Sequence, residues 1–450
     1  MSLAFFAIGD WGKNYDRFNI ETTIESPQMR VANAMYKNMT NESFVVSIGD
    51  MFYTRKDKEL DEKSLKEIDN KLSHLHKRSN NSHNIQLPNR IKQGNKLQSE
   101  KIRLTKNKQR RNNNKEQTIE SILISKDNQR INSKVTELYN KIWYNYYNEL
   151  NLDWFGVLGN HEYNYGDEYT NSILSCSTGP WDNNKSFKIL KTTYSKIVET
   201  TLIIFINTAD LIRKFEGKKK KNENEKKKEQ IKEQLFMTTL FAIIKECISN
   251  DTCENIVIVG HHPIISHRHK DKKAGHDIIQ RLFRYIVGLL EINNILPKLI
   301  GYICGHEHNY QVIDITCQGI EPNKKTTFKQ IITGSGGEDT DPILNCKDQD
   351  NCHQIINSNI NTIKGNNNYK SLYNSNVPSD FTYNVIDLQT GHGCAKIEIK
   401  GNELTSTFIE EEPLNENKRL EIQERLHSKN RVNKLANQLK KLPPLDIGYN

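Results

Sequence analysis

Residues 44–53 read FVVSIGDMFY: an apolar, β-branched run stops at Gly49, a carboxylate follows at once, and a tyrosine comes three residues later. The run has the composition of a buried strand. A glycine at its end lets the chain turn sharply, so Asp50 falls just beyond the strand tip. Four other stretches repeat the form: AIGDWG at 7–12, VLGNHEY at 157–163, IVGHHPI at 258–264 and ICGHEHNY at 303–310. In an α/β sheet, residues past the carboxyl ends of the strands line the crevice where ligands bind. Asp10, Asp50, Asn160, His161, His261, His306 and His308 are therefore expected to converge on one edge.

Between these stretches the pattern alternates. Strand-like runs at 3–8, 44–48, 154–158, 201–207, 255–259 and 299–304 are separated by helical patterns near 27–39, 135–150, 229–248 and 276–293, which is a βαβ rhythm. From about residue 310 short strands follow one another (QVIDIT, KQIITG, YNVIDL, AKIEIK, LTSTFIE), which adds antiparallel sheet. Three segments break the plan. Residues 55–134 and 345–380 are rich in Asn and polar residues, and 214–230 is a charge run; such compositions do not offset ordering entropy and read as low-complexity insertions. The expected organisation is one domain over 1–412, carrying those insertions, and a helical tail over 413–450.

Charge excludes one function class. The 450 residues carry a net +9, but residues 56–135 hold 20 Lys/Arg against 10 Asp/Glu. That stretch contributes 20 − 10 = +10, and 9 − 10 = −1 remains for everything else, so the fold offers no basic groove and no nucleic-acid partner is expected. No apolar run reaches membrane-helix length, and Met1-Ser2-Leu3 leads directly into a strand, without a signal peptide. The expectation is a cytosolic protein as written, or a secreted or vesicular one if the start lies upstream. Of the eight cysteines, the pairs Cys346/Cys352 and Cys247/Cys253 could each close a short loop or stay as thiols.

Carboxylate, amide and imidazole donors suit Fe, Mn and Zn. Seven such donors exceed one tetrahedral ion and match two ions sharing a bridging carboxylate, about 3.5–4 Å apart, as in phosphoryl transfer to water.

On these motifs the chain resembles the calcineurin-like metallophosphoesterases, and among them the purple acid phosphatases, especially the small tartrate-resistant ones. Most of that superfamily has Asp-x-His in the first block and a second Asp three residues after the Asp of the second block. This chain has Asp10-Trp11-Gly12 and Asp50-Met51-Phe52-Tyr53, the purple acid phosphatase variants. The resemblance implies an α/β (α+β) fold, a four-layer α/β/β/α sandwich with two mixed sheets flanked by helices. It implies a ferric ion on Asp10, Asp50, Tyr53 and His308, and a divalent Fe, Zn or Mn ion on Asn160, His261 and His306, with Asp50 bridging. Tyr53 would bind as a phenolate, because a trivalent cation stabilises the anion.

The implied activity is that of an acid phosphatase, attack of a metal-bound hydroxide on phosphate monoesters of small molecules or phosphoproteins, by a monomer. The alternatives are an inactive partner-binding scaffold and a phosphodiesterase of the same superfamily. His161 is implied to protonate the leaving alkoxide or stabilise phosphoryl charge. A further family histidine falls near Lys270, which a one-residue shift assigns to His269, with His267 close by. His262 stands where tartrate-resistant relatives carry Tyr, and Glu162 and Glu307 replace the usual Asp in supporting positions. The metal-replete protein is expected to hold two ions and to absorb in the visible; an absorption spectrum of Tyr53→Phe should lack the band, and a colourless parent protein would overturn the ferric-phenolate assignment.

Overall fold

The computed structural model describes residues 2–12, 24–40, 44–51, 143, 145–163, 170, 187–189, 193–216, 223–249, 252–266, 277–321, 323–338, 381–424 and 427. All lie in one unit, formed by Met1–Tyr53 with Leu138–Asn450. The segments expected as insertions at 55–134 and 345–380 lie outside the described residues, as do Tyr53, His267 and His269.

Thirteen strands in the described residues form two mixed sheets. The first runs in the order β13 (Glu403–Glu410), β12 (Gly393–Lys400), β1 (Ser2–Ile8), β2 (Phe44–Ser47), β3 (Asp153–Gly156), β4 (Phe187–Lys188). The strands β1 to β4 are parallel, and β12 and β13 add antiparallel strands. The second runs β11 (Phe381–Gln389), β9 (Tyr310–Gln318), β10 (Lys325–Thr333), β8 (Leu299–Cys304), β7 (Asn255–Val259), β6 (Thr201–Ile206), β5 (Thr193–Val198). Here β10, β8, β7 and β6 are parallel and the rest antiparallel.

The parallel strands β2, β6, β7 and β8 are buried along their length, as NIVIV and TLIIFI illustrate. Strands covered on both faces must be apolar throughout. On β1, Leu3, Phe5 and Ala7 enter the core shared by the two sheets, whereas Phe6 and Ile8 are buried outside that cluster. Aromatic contacts join the sheets: Phe155 of β3 lies 6.3 Å from Phe205 of β6, and Tyr310 of β9 lies 4.9 Å from Phe408 of β13.

Helices cover the outer faces. Helix α1 (Pro27–Asn38) lies against β12 and β13; Ser26 caps it by accepting from Met29 N at 3.2 Å, and Pro27 occupies the first turn, where no N–H is needed. A single helical turn at Asn160–Tyr163 is α2, and α3 spans Thr208–Glu216. On the second sheet, α5 (Asp277–Ile292) buries Ile279, Leu282, Phe283, Ile286, Val287 and Leu290, which fall at helical spacing on one stripe. The layers are thus helix, sheet, sheet, helix, as the family resemblance implies.

One element differs from expectation. Helix α4 spans Glu223–Ser249, so the charged run expected as an insertion at 214–230 is helical from Glu223; a polar run continues a helix when its far end packs, here through buried Leu240, Ile243 and Ile244. In the tail, a helix is described over 416–424. It is tied down ahead of its start: Arg30 Nη2 reaches Glu411 Oε1 at 3.0 Å, and Asn33 Nδ2 donates to the carbonyls of Glu412 and Pro413. Cys253 is disulfide-bonded, while Cys304, Cys317 and Cys394 are buried thiols. Among the described residues no helix is long and apolar enough to cross a membrane.

Behind the first sheet, Trp154 is fully buried 5.7 Å from Trp11, 5.0 Å from Tyr147 and 5.9 Å from Phe187. Truncation there leaves a large cavity. Trp154→Ala is expected to cost about 3–5 kcal/mol in a denaturant unfolding curve.

Candidate metal centre

Strand ends from both sheets meet at one edge. Asp10 follows β1, Asp50 follows β2, Asn160 and His161 follow β3, His261 and His262 follow β7, and His306 and His308 follow β8. The crossing is close. Gly9 N donates to Thr333 O at 2.8 Å and Gly336 N to Gly9 O at 3.0 Å, stitching β1 to the end of β10. Gly49 has φ +94°, and a Cβ there would stand 2.4 Å from Gly159 N; one on Gly159 would stand 2.1 Å from Asp50 Oδ1. Only glycine permits that approach at both places.

Three of the converging residues pay no such steric exemption, yet still adopt the left-handed region: Asp10 at φ 54°, Asp50 at 50° and His306 at 71°. Non-glycine residues in this region cluster where function demands a particular side-chain direction.

Glu162 braces the junction. Its carboxylate is fully buried and accepts from Asp50 N at 3.0 Å, Met51 N at 2.6 Å and Gly159 N at 2.6 Å. It thereby orders the turns after β2 and β3 together. Asp50 Oδ1 accepts from His161 N at 2.8 Å, and its Oδ2 lies 3.2 Å from His261 Nε2 and 3.9 Å from His161 Nε2. Asp10 Oδ2 accepts from His306 N at 2.8 Å, and its Oδ1 lies 3.3 Å from His308 Nε2. Asn160 Oδ1 lies 3.1 Å from His261 Nε2 and 3.0 Å from His306 Nδ1.

These spacings suit cations. Ligand atoms of Asp10, Asp50 and His261 all lie within 4.8 Å of one another, and so do those of His261, His262 and His306. Separations of 3.0–3.2 Å between donors are those of atoms sharing one ion with bonds of about 2.0–2.2 Å. His261 is also correctly turned. Its Nδ1 faces the Ile48 carbonyl at 2.8 Å, and a carbonyl only accepts, so Nδ1 carries hydrogen and Nε2 points at the donors.

Charge points the same way. For His261, burial favours the neutral ring, but Asp50, then Asp10 and the Ile48 carbonyl, overcome this and raise its pKa to about 9. For Asp50, burial pushes upward, and His261 with His161 reverse the effect, holding the carboxyl well below its usual range. Both shifts describe one interaction. Where Nε2 points, the oxygens stabilise positive charge.

Every site residue expected from the sequence that falls among the described residues is therefore brought to this edge. Trp11, in the position that is one before the usual histidine, is buried among aromatic rings and donates Nε1–H to Ser47 Oγ at 3.0 Å. Sequence reasoning missed the part played by β6. Its end, Asn207-Thr208, sends the Thr208 hydroxyl to the backbone N–H groups of His261 and His262 at 3.0 and 3.1 Å. The signal was present: FINTAD also ends a strand in polar residues, but without a metal-binding type to mark it. Gln330 of β10 was likewise missed, and its amide holds Ile264 N and Ile265 O just beyond the two histidines.

Residues 125–310 match the family model described as calcineurin-like phosphoesterase. The matched span holds Asn160, His161, His261, His306 and His308, and begins after Asp10 and Asp50. Among solved structures the chain is similar to GAP50, the anchor in the inner membrane complex of Plasmodium, at 15% identity and TM-score 0.45, over 94% of this chain and 93% of that one. It is similar to purple acid phosphatase PPD1 from yellow lupin (Lupinus luteus) seeds at 11% identity and TM-score 0.41, over 91% and 51%. A third likeness is to PhoD, at 8% identity and TM-score 0.41, over 96% and 78%. The search of curated proteins found no match.

Removing the Glu162 carboxylate strands three buried N–H groups. Glu162→Ala is expected to cost about 3–6 kcal/mol in chemical unfolding and to weaken metal binding about 10–100-fold. Glu162→Gln, which keeps one acceptor oxygen, should lose less on both counts, as calorimetric titration would check.

Proposed function

We propose that this chain is a dinuclear-metal hydrolase of phosphate monoesters. The observation that carries the reading is the convergence of six oxygen and nitrogen donors, Asp10, Asp50, Asn160, His261, His306 and His308, from five strand ends, at the mutual spacing of metal ligands, in a chain whose residues 125–310 match the calcineurin-like phosphoesterase model. Asp10, Asp50 and His308, with Tyr53, would hold a ferric ion. Asn160, His261 and His306 would hold a divalent Fe, Zn or Mn ion, with Asp50 shared between the two. Bound there, the cations offset phosphoryl charge and activate water.

The rest is work for the chain itself. Asp50 presents one oxygen towards His261 while the other is held by the His161 amide, so its carboxylate cannot swing. His261 gives its Nδ1 hydrogen to Ile48, leaving the opposite nitrogen turned inward. Burial of Asp10, Asp50 and His261 keeps bulk water from screening these charges, so they act on an anionic substrate more strongly than at a surface.

His161 differs from the others: its side chain is 23% exposed and anchored by its own amide to Asp50. An imidazole at the rim can reach the leaving oxygen of a bound ester and hand it a proton. The substrate class is a phosphorylated small molecule or phosphoprotein.

Purified protein loaded with iron and zinc is expected to release p-nitrophenol from p-nitrophenyl phosphate at mildly acidic pH. Asp50→Ala should abolish this by a factor of about a hundred or more, since loss of a ligand exceeds loss of its supporting partner. Absence of turnover in a protein shown to hold two metals would overturn the enzymatic reading. A rate on bis-p-nitrophenyl phosphate exceeding the monoester rate would shift it to a diesterase.

A further inference from the structure

Two histidines stand together at the end of β7, with rings 4.7 Å apart, and hydrogen bonding separates their chemistry. By proximity both qualify for one metal group with His306. A metal-bound histidine keeps its hydrogen on the nitrogen away from the ion and donates it to an acceptor. His261 does this, through Nδ1 to Ile48 O.

His262 does not. Its Nδ1 faces Thr208 Oγ1 at 3.1 Å, and that oxygen already accepts from His261 N at 3.0 Å and His262 N at 3.1 Å. A hydroxyl has two acceptor lone pairs and one hydrogen. Both lone pairs are engaged, so the Thr208 hydrogen goes to His262 Nδ1, which must be the acceptor. The ring hydrogen of neutral His262 is therefore on Nε2. The backbone of His262 is fixed by Tyr302 OH, which donates to its carbonyl at 2.5 Å, and the His306 ring lies 4.5 Å from the His262 ring.

We propose that His262 is not a metal ligand but a fixed hydrogen-bond donor to substrate, its Nε2–H set by Thr208 for a non-bridging oxygen of the phosphoryl group. This rests on the phosphate-ester reading of the site. A neutral N–H beside the cations does not compete for them, and it meets an anionic oxygen with a charge-assisted bond. Thr208 acts through His262, as a positioning residue.

The two carboxamide substitutions of His262 separate the roles, because an Asn amide reaches the Nδ1 position and a Gln amide the Nε2 position. Full-length protein, His262→Asn and His262→Gln would be loaded with zinc. Metal per chain would be measured by elemental analysis and inorganic phosphate binding by isothermal titration calorimetry. Expected is the same metal content in all three, phosphate bound about tenfold more weakly by His262→Asn, the equivalent of roughly 1.4 kcal/mol, and affinity close to the parent in His262→Gln. Loss of a metal equivalent in both variants would overturn the proposal in favour of a ligand. The opposite pattern, with His262→Asn unaffected and His262→Gln weakened, would overturn it in favour of a purely structural partner for Thr208, and equal affinity in all three would also overturn it. A parent protein that takes up no metal or binds no phosphate would overturn the phosphatase reading itself, which the variants alone cannot do.

Discussion

The buried carboxylate of Glu162 governs the architecture of this site. Its oxygens take three backbone N–H groups from two different turns, those after β2 and β3. A buried anion is costly unless it is fully hydrogen-bonded, and buried N–H groups are costly unless they find an acceptor. Each side of the arrangement thus removes the other's penalty. With these turns joined, Asp50 and Asn160 have defined directions, and Gly49 and Gly159 supply the clearance that two backbones at this separation require.

The second sheet enters through equally direct bonds. His261 Nδ1 reaches across to the Ile48 carbonyl at the end of β2, and His306 N reaches Asp10 Oδ2. Such links make the site a joint between sheets, with no single element supplying a complete ligand set. The left-handed backbone at Asp10, Asp50 and His306 belongs to the same picture: side chains at strand tips would otherwise continue the alternation of the strand, and these three must turn inward instead. Stability of the surrounding sandwich, with its apolar strands and the aromatic cluster around Trp154, is what sustains that strain.

Much of this was legible in the chain. The apolar runs ending in Gly announced the strand tips, since a buried parallel strand must be apolar and a tip that turns at once favours glycine; Asp10, Asp50, Asn160, His161, His261, His306 and His308 all arrive where that pattern placed them. Helix α4 was legible only in its packed half, because the residues from Glu223 onward carry no apolar period and become helical by continuation. Thr208 and Gln330 were not legible. A threonine or glutamine is as often a surface residue as a clamp, and nothing local marks which backbone groups it will meet across the fold.

By itself, the sequence determined the order of strand and helix and the donor types available to a metal, because these depend on local periodicity and on side-chain chemistry; the layers were expected only from the family resemblance. Tertiary structure alone decided how those donors face one another. Whether an imidazole presents a lone pair or a hydrogen depends on the partner of its other nitrogen: a carbonyl for His261, a hydroxyl with both lone pairs engaged for His262. Adjacent histidines in one tripeptide, His261-His262-Pro263, thereby acquire opposite chemistry from neighbours 213 and 54 residues away.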